Sequence, residues 1–231
     1  MDSKDAGHPS PAALPDFLLA RSYIRNKSGL CLSDFDVLKT IGTGSSSTVK
    51  LVTLSDSSLK IPFALKLVSK AEVVRSRHSA QLKEERRLVE RMQHPFIVDF
   101  VRSFQDDTRV AFVFEFVNGG ELFGLLELKG YLPTSWARFY LAETLSALRY
   151  LHSRKVVFRD LKAENILLSH SGHVKLVDFG YAKDLEGTRA HTLCGTPEYM
   201  APEMLLKGKI GYGTSVDIWA LGVLAYELLT G

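Results

Sequence analysis

The sequence predicts an α+β protein in two lobes, a small antiparallel β lobe with one main helix and then a mainly helical large lobe. Between Asp34 and Phe116, short apolar, β-branched runs are divided by Gly, Ser and Asp clusters, the pattern of strands joined by turns. A single charged stretch with embedded apolar residues interrupts them. Beyond Asn118-Gly119-Gly120 the apolar spacing changes to steps of three and four, which belong to helices.

The elements follow in order. Residues 1–33 are rich in Ser, Ala, Pro and Asp and lack a sustained period. They read as a mostly disordered arm, with room for a short helix near 16–24, where Phe17, Leu18 and Ile24 would share a face. The small lobe, 34–117, has strands at 35–41, 49–54, 63–68, 98–103 and 109–116. Its helix spans 77–93, with Leu82, Leu88, Val89 and Met92 on the buried side and Pro95 as the stop. Asn118-Gly119-Gly120 reads as a hinge. The large lobe, 118–231, has a helix starting near Pro133, whose Ala137, Leu141, Leu145, Leu148 and Leu151 line one face. Residues 215–230 are apolar nearly all round, so a helix buried on every side is expected there.

The composition is that of an ordinary soluble protein of 231 residues, 45% hydrophobic and 24% charged, with a net charge of +3. No Lys/Arg block suggests nucleic acid or a membrane surface. No apolar run is long enough to span a bilayer. The N-terminus carries no signal-peptide core, and Asp2 stands where myristoylation needs glycine. Cys31 and Cys194 are the only cysteines, which fits a reducing compartment: cytoplasm, with the nucleus as the alternative.

Residues 158–165 read Phe-Arg-Asp-Leu-Lys-Ala-Glu-Asn, and 178–180 read Asp-Phe-Gly. This is a phosphoryl-transfer constellation. Asp160 can accept the proton of a substrate hydroxyl, and Lys162 can neutralise the transferring group. Asn165 and Asp178 are oxygen donors for Mg²⁺. Upstream, Gly42-Thr43-Gly44-Ser45-Ser46-Ser47 lies between two strands, where glycine lets backbone N–H groups approach the phosphates of ATP. Val49 can pack on adenine. Lys66, facing inward from a strand, needs a partner, and Glu85 on the next helix is the natural one. Thr192 is a candidate phosphorylation site, with Arg159 and Lys183 as the cations that would collect the phosphate.

Together with Thr-Leu-Cys-Gly-Thr-Pro-Glu-Tyr at 192–199, Ala-Pro-Glu at 201–203 and Trp-Ala-Leu-Gly-Val-Leu at 219–224, these motifs resemble the eukaryotic protein kinases. Within them the chain is most similar to the AGC group, in its cAMP-dependent branch. The resemblance runs from about Asp34 to Gly231. It implies a two-lobed kinase fold with ATP between the lobes, and a serine/threonine kinase. Phe114 would be the gatekeeper, and Glu115 and Val117 would lie on the strand that bonds adenine, with Ala64 against the ring. Glu121, also placed at the nucleotide, would join Glu164 and Glu227 in binding arginines ahead of the phosphoacceptor of protein substrates. Leu193, Pro197 and Met200 would pocket the residue after it. Val89, Phe100, Phe158 and Phe179 would stack as a spine, and Asp217 would brace the catalytic loop.

The chain departs from that pattern at several positions. Ser47 and Ser46 replace the third glycine and the aromatic tip of the phosphate loop, so weaker shielding of the γ-phosphate is expected. Gln81 replaces a His that reaches the activation-segment phosphate, so that link would be lost. His191 stands for a Trp, and one extra residue precedes Thr192, which counts against docking of a regulatory subunit or inhibitor. The large lobe reads as truncated at Gly231, leaving Glu203 without its Arg. A truncated kinase-like binding module with little turnover is therefore the alternative reading.

Overall fold

The computed structural model describes residues 14–44, 46–206 and 211–231. They fall into two compact units: one holds the chain up to Ser76 together with Phe100–Phe116, the other Arg77–Asp99 together with Val117–Gly231. The α+β class is as expected. The residues 1–13 of the expected arm lie outside the described residues.

The first unit opens with helix α1 (Leu14–Asn26). Strands β1 (Phe35–Thr43), β2 (Ser47–Leu54) and β3 (Phe63–Ser69) follow, and a short helix α2 (Lys70–Arg75) closes this stretch. After helix α3 (Ser79–Arg91), which belongs to the second unit, come β4 (Phe100–Gln105) and β5 (Arg109–Glu115). The sheet is antiparallel throughout, in the order β1-β2-β3-β5-β4. Its register sets the chemistry. Val49 lies opposite Lys66, Lys66 opposite Phe112, and Ala64 opposite Phe114. Side chains alternate along strands, so Val49, Ala64, Lys66, Phe112 and Phe114 share one face.

The other face carries Phe63, Leu65, Leu67, Ala111 and Val113. These pack in one apolar cluster with Ala20 and Ile24 of α1, and with Phe17 at its edge. Residues 14–26 are thus a helix, longer than the short one expected near 16–24, and it is a wall of the core. Arg102 fixes its end: Nη1 donates to the carbonyls of Ile24, Arg25 and Lys27 at 3.0, 3.1 and 2.5 Å. That satisfies carbonyls a helix C-terminus leaves unpaired. Arg25 answers by donating to Phe100 O at 3.0 Å. Leu18, expected on the helix's shared face, is exposed, as are Leu19 and Tyr23, which blurs the apolar stripe.

In the second unit α3 is followed by α4 (Leu122–Lys129), α5 (Thr134–Ser153) and β6 (Val156–Val157). Then come β7 (Ile166–Leu168), β8 (Val174–Leu176), β9 (Lys183–Asp184), α6 (Pro202–Leu205) and α7 (Ser215–Thr230). β6 pairs with β9, and β7 with β8. The helix assigned by sequence to the small lobe groups here because the chain after it is sewn to β8. Leu176 N donates to Phe96 O at 2.9 Å, and Val98 N to Leu176 O at 3.0 Å.

Helix α7 corrects one expectation. Val216, Asp217, Ala220, Leu224 and Leu228 are buried, but Ile218, Trp219, Tyr226 and Leu229 are exposed. It is buried on one side, because among the described residues its packing neighbours are chiefly α5 and the turn Pro197–Tyr199. Glu203 is exposed and accepts a bond from Ser215 Oγ at 3.3 Å. No helix among the described residues is long and apolar enough to cross a membrane.

Candidate active site

In the second unit the loop between β6 and β7 is suspended from a buried carboxylate. Asp217, 1% exposed, accepts from Phe158 N at 2.9 Å and Arg159 N at 2.8 Å, and meets His152 Nε2 at 2.7 Å. A buried carboxylate is costly unless its lone pairs are used, and here three groups use them. Two of those groups are the backbone N–H groups just before Asp160. Arg159 has a positive φ of 71°, a strained conformation for a bulky residue, and the Asp217 bonds hold it there.

Asp160 is itself 7% exposed, and both carboxylate oxygens are engaged. Thr196 Oγ1 donates to Oδ1 at 2.8 Å, and Asn165 Nδ2 donates to Oδ2 at 2.9 Å and to the Asp160 carbonyl at 2.7 Å. The carboxylate is thereby fixed in rotation. Asn165 uses its amide NH₂ on Asp160, so its amide oxygen is the atom suited to a cation. Asp178, exposed, has φ 60° and accepts from Gly180 N at 3.2 Å. Oxygen donors of this kind fit Mg²⁺, which takes a few protein oxygens and completes its shell with water and phosphate. Lys162 is half-buried, two residues beyond Asp160.

Gly195 brings the segment 192–199 to this loop. Its φ is +98°, and a Cβ there would collide with the Arg159 carbonyl oxygen. Only glycine permits that approach, and the next residue is the Thr196 that bonds Asp160. Behind the loop Phe158 and Phe179 meet edge to face, with centroids 5.3 Å apart. Glu85, 5% exposed on α3, has its carboxylate beside Gly180.

Of the expected arginine-binding carboxylates, Glu227 accepts a hydrogen bond from the Tyr199 hydroxyl. Burial raises the Tyr199 pKa above its ordinary value, the bond to Glu227 adds to this, and Glu164 acts in the same direction. Tyr199 therefore stays a neutral donor close to both. Glu121 is exposed at the start of α4. Leu193 and Pro197 are exposed and Met200 is half-buried along the same segment.

Thr192 is exposed, and Arg159, Lys183, Gln81 and Arg87 line the same cleft of about 780 Å³. Arg159 Nε donates to Tyr181 O at 2.6 Å, and its Nη1 to the Tyr212 hydroxyl at 3.1 Å. Tyr212 in turn donates to Thr192 O at 2.5 Å.

In the first unit Gly42 pairs with Val49 and Thr43 with Thr48, so the glycine-rich segment is a hairpin turn. Gly44 N donates to Ser47 O at 2.8 Å and Ser46 O accepts from Ser69 N at 3.0 Å. Ser45 lies outside the described residues. Phe100 rests on Phe112 and Phe114, 6.4 and 5.6 Å between centroids. Glu115 ends β5; Val117, which belongs to the second unit, is buried.

Sequence reasoning missed Thr196, His152 and Tyr212 as parts of this site. Thr196 stood within a motif already quoted. His152 and Tyr212 act through distant partners, which no spacing reveals.

A family model described as "Protein kinase domain" matches residues 35–231. The chain is 41% identical over 230 residues to the cAMP-dependent protein kinase catalytic subunit of Arthrobotrys oligospora, covering 99% of this chain and 43% of that protein. It is 44% identical to the human cAMP-dependent protein kinase catalytic subunit PRKX, over 87% of this chain and 54% of the relative. With the cAMP-dependent protein kinase type 3 of Saccharomyces cerevisiae it shares 43% identity, over 90% of this chain and 51% of that protein. The chain spans about half the length of these relatives.

Proposed function

The chain belongs to the protein kinase family, and on that premise we propose that it transfers the γ-phosphate of ATP to Ser or Thr in proteins with arginine ahead of the acceptor. The observation that carries this reading is the Asp160 carboxylate, buried and held on both oxygens by Thr196 and Asn165. A carboxylate locked in this way can orient a hydroxyl and take its proton without reorganising. Lys162 offers its charge to the transferring group, and Lys66 to the other phosphates. Asn165 and Asp178 would hold Mg²⁺, which supplies charge neutralisation on the phosphates when bound. Val49, Ala64 and Phe114, which share a sheet face with Lys66, would take the adenine.

Specificity is assigned to Glu121, Glu164 and Glu227, since carboxylates pair bidentately with guanidinium. Phosphate on Thr192 would be met by Arg159 and Lys183. An inhibitory subunit with an arginine-bearing segment would compete for the same carboxylates. The proposed location is the cytoplasm or the nucleus.

The test is phosphotransfer from Mg·ATP to a serine peptide with arginine two and three residues before the acceptor, against the same peptide with alanine there. Loss of both arginines is expected to lower kcat/KM by several kcal/mol, about 1.5–3 for each charged pair. A preference for acidic or proline-flanked serines would contradict the assignment. Mg·ATP binding with no transfer to any peptide would leave a nucleotide-binding module instead.

A further inference from the structure

Helix α3 carries Glu85, and the sequence expects Gln81 to lose the link from this helix to a phosphate on Thr192. The structure contains other ties. Gln81, Glu84, Arg87 and Arg91 recur at steps of three, three and four, so they line one face of α3. That face meets residues 180–186. Gln81 Nε2 donates to Gly180 O at 2.5 Å. Glu84 Oε1 accepts from Asp184 N at 3.2 Å. Arg87 Nη2 and Arg91 Nη1 each lie 3.3 Å from Asp184 Oδ2, and Arg87 also reaches Glu186 Oε1 at 3.3 Å.

The Asp184 side chain is only 9% exposed. An ion pair on an open surface contributes little, but a carboxylate this covered and shared by two guanidinium groups resists losing its partners. Asp184 also pairs in the β ladder with Val156, and Lys183 with Val157, the residue before Phe158. The helix face, β9, β6 and the Asp160 loop are therefore one connected series within a single unit. None of these ties uses Thr192.

We propose that Arg87 and Asp184 are positioning residues for the phosphotransfer assigned above. With Arg91, Glu84 and Gln81 they latch α3 to the segment after Asp178, and the latch holds whether or not Thr192 is phosphorylated. This rests on the kinase reading for its consequence in turnover, and on geometry alone for the latch. Phosphate on Thr192 then acts on the segment 192–199 and the substrate side, through Arg159 and Lys183, while Arg87 stays engaged with Asp184.

The experiment measures hydrogen exchange of α3 amides and the kinetics of peptide phosphorylation in the full chain. The variants are Asp184→Lys, Asp184→Asn, Thr192→Ala and the exchanged pair Arg87→Glu/Asp184→Arg. Asp184→Lys is expected to speed α3 exchange about tenfold. It should lower kcat more than it raises KM for the peptide. Asp184→Asn should do the same more weakly, and the exchanged pair should recover part of the protection, a rescue that generic destabilisation would not produce. Thr192→Ala should change α3 exchange by less than about twofold. The proposal is overturned if Thr192→Ala loosens α3 as much as Asp184→Lys does. It is equally overturned if both Asp184 variants leave α3 protected. Because exchange is read without substrate, a chain with no phosphotransfer would refute the kinase reading while still deciding the latch.

Discussion

The loop at 158–165 and the turn at 42–47 are assigned to the same reaction, yet they are built in opposite ways. In the first, Phe158, Asp160 and Asn165 are buried, and ties come from far along the chain: Thr196 to Asp160, and Asp217 to Phe158 and Arg159. In the second, Thr43 and Gly44 are exposed. Gly44 N donates to Ser47 O, and Ser46 O accepts from Ser69 N. The proposed proton acceptor must stand still, and its loop is clamped from outside. The turn proposed to follow phosphates is built from small residues, with one bond inside it and one to β3, which leaves its own backbone freer to adjust.

The largest effect should come from cutting the clamp. Asp217→Ala removes a carboxylate that satisfies two backbone N–H groups and His152, and breaking such a buried set typically costs about 3–5 kcal/mol. For a chain of this size, a thermal melt should drop by roughly 2–4 °C per kcal/mol. A drop under a degree would erase the contrast between the two loops.

Next is Gly195→Ala. Its positive φ and the approach of Arg159 O leave no space for a Cβ, a strain of about 1–3 kcal/mol. The strain falls on the Thr196–Asp160 bond, so kcat should fall more than the melting temperature suggests. Unchanged kcat would mean the segment is not what fixes Asp160.

In the turn the same kind of change should be mild. Ser47→Gly should cost about 0.5–1 kcal/mol from backbone entropy and shift KM for Mg·ATP by no more than a few-fold. A loss as large as that of Asp217→Ala would show that this turn is clamped as well.

The smallest effect belongs to a third loop, the β4–β5 turn, which tests local ties alone. Thr108 N–H and Oγ and Arg109 N–H donate to Asp106 Oδ1 at 2.7, 2.9 and 2.7 Å. The Thr108 bonds chiefly hold its pKa at about 2, below the ordinary 3.8. The folded value lies below the unfolded one, so this stability is present above pH 3.8 and fades as pH falls towards 2. Asp106→Asn should melt below wild type at pH 5 and converge with it near pH 2. Parallel curves across that range would contradict the local tie.

These contrasts explain what was legible. The five strands, α3 and α5 could be read because their periods are local, α7 from its apolar run, and Asp160, Asn165 and Asp178 stood out as candidates because their spacing is short. Asp217 came only through resemblance, since nothing near it in sequence marks it as a brace. Thr196, His152 and Tyr212 were not legible as site residues, because their partners lie tens of residues away. Helix α1 was read only as a short stretch near 16–24 for a different reason: its buried Ala20 and Ile24 are interleaved with exposed Leu19 and Tyr23. The one-sided burial of α7 also escaped, since an all-apolar pattern does not say which face finds neighbours.

The central claim is a division of labour, with Asp160 acting on the hydroxyl and Asp178 on the metal and phosphates. The most direct measurement is titration of Asp160→Asn and Asp178→Asn with labelled Mg·ATP, alongside their rates of transfer. Asp160→Asn should bind Mg·ATP as wild type does while kcat collapses, and Asp178→Asn should lose both binding and transfer. Equal loss of Mg·ATP binding in the two variants would contradict the assigned roles.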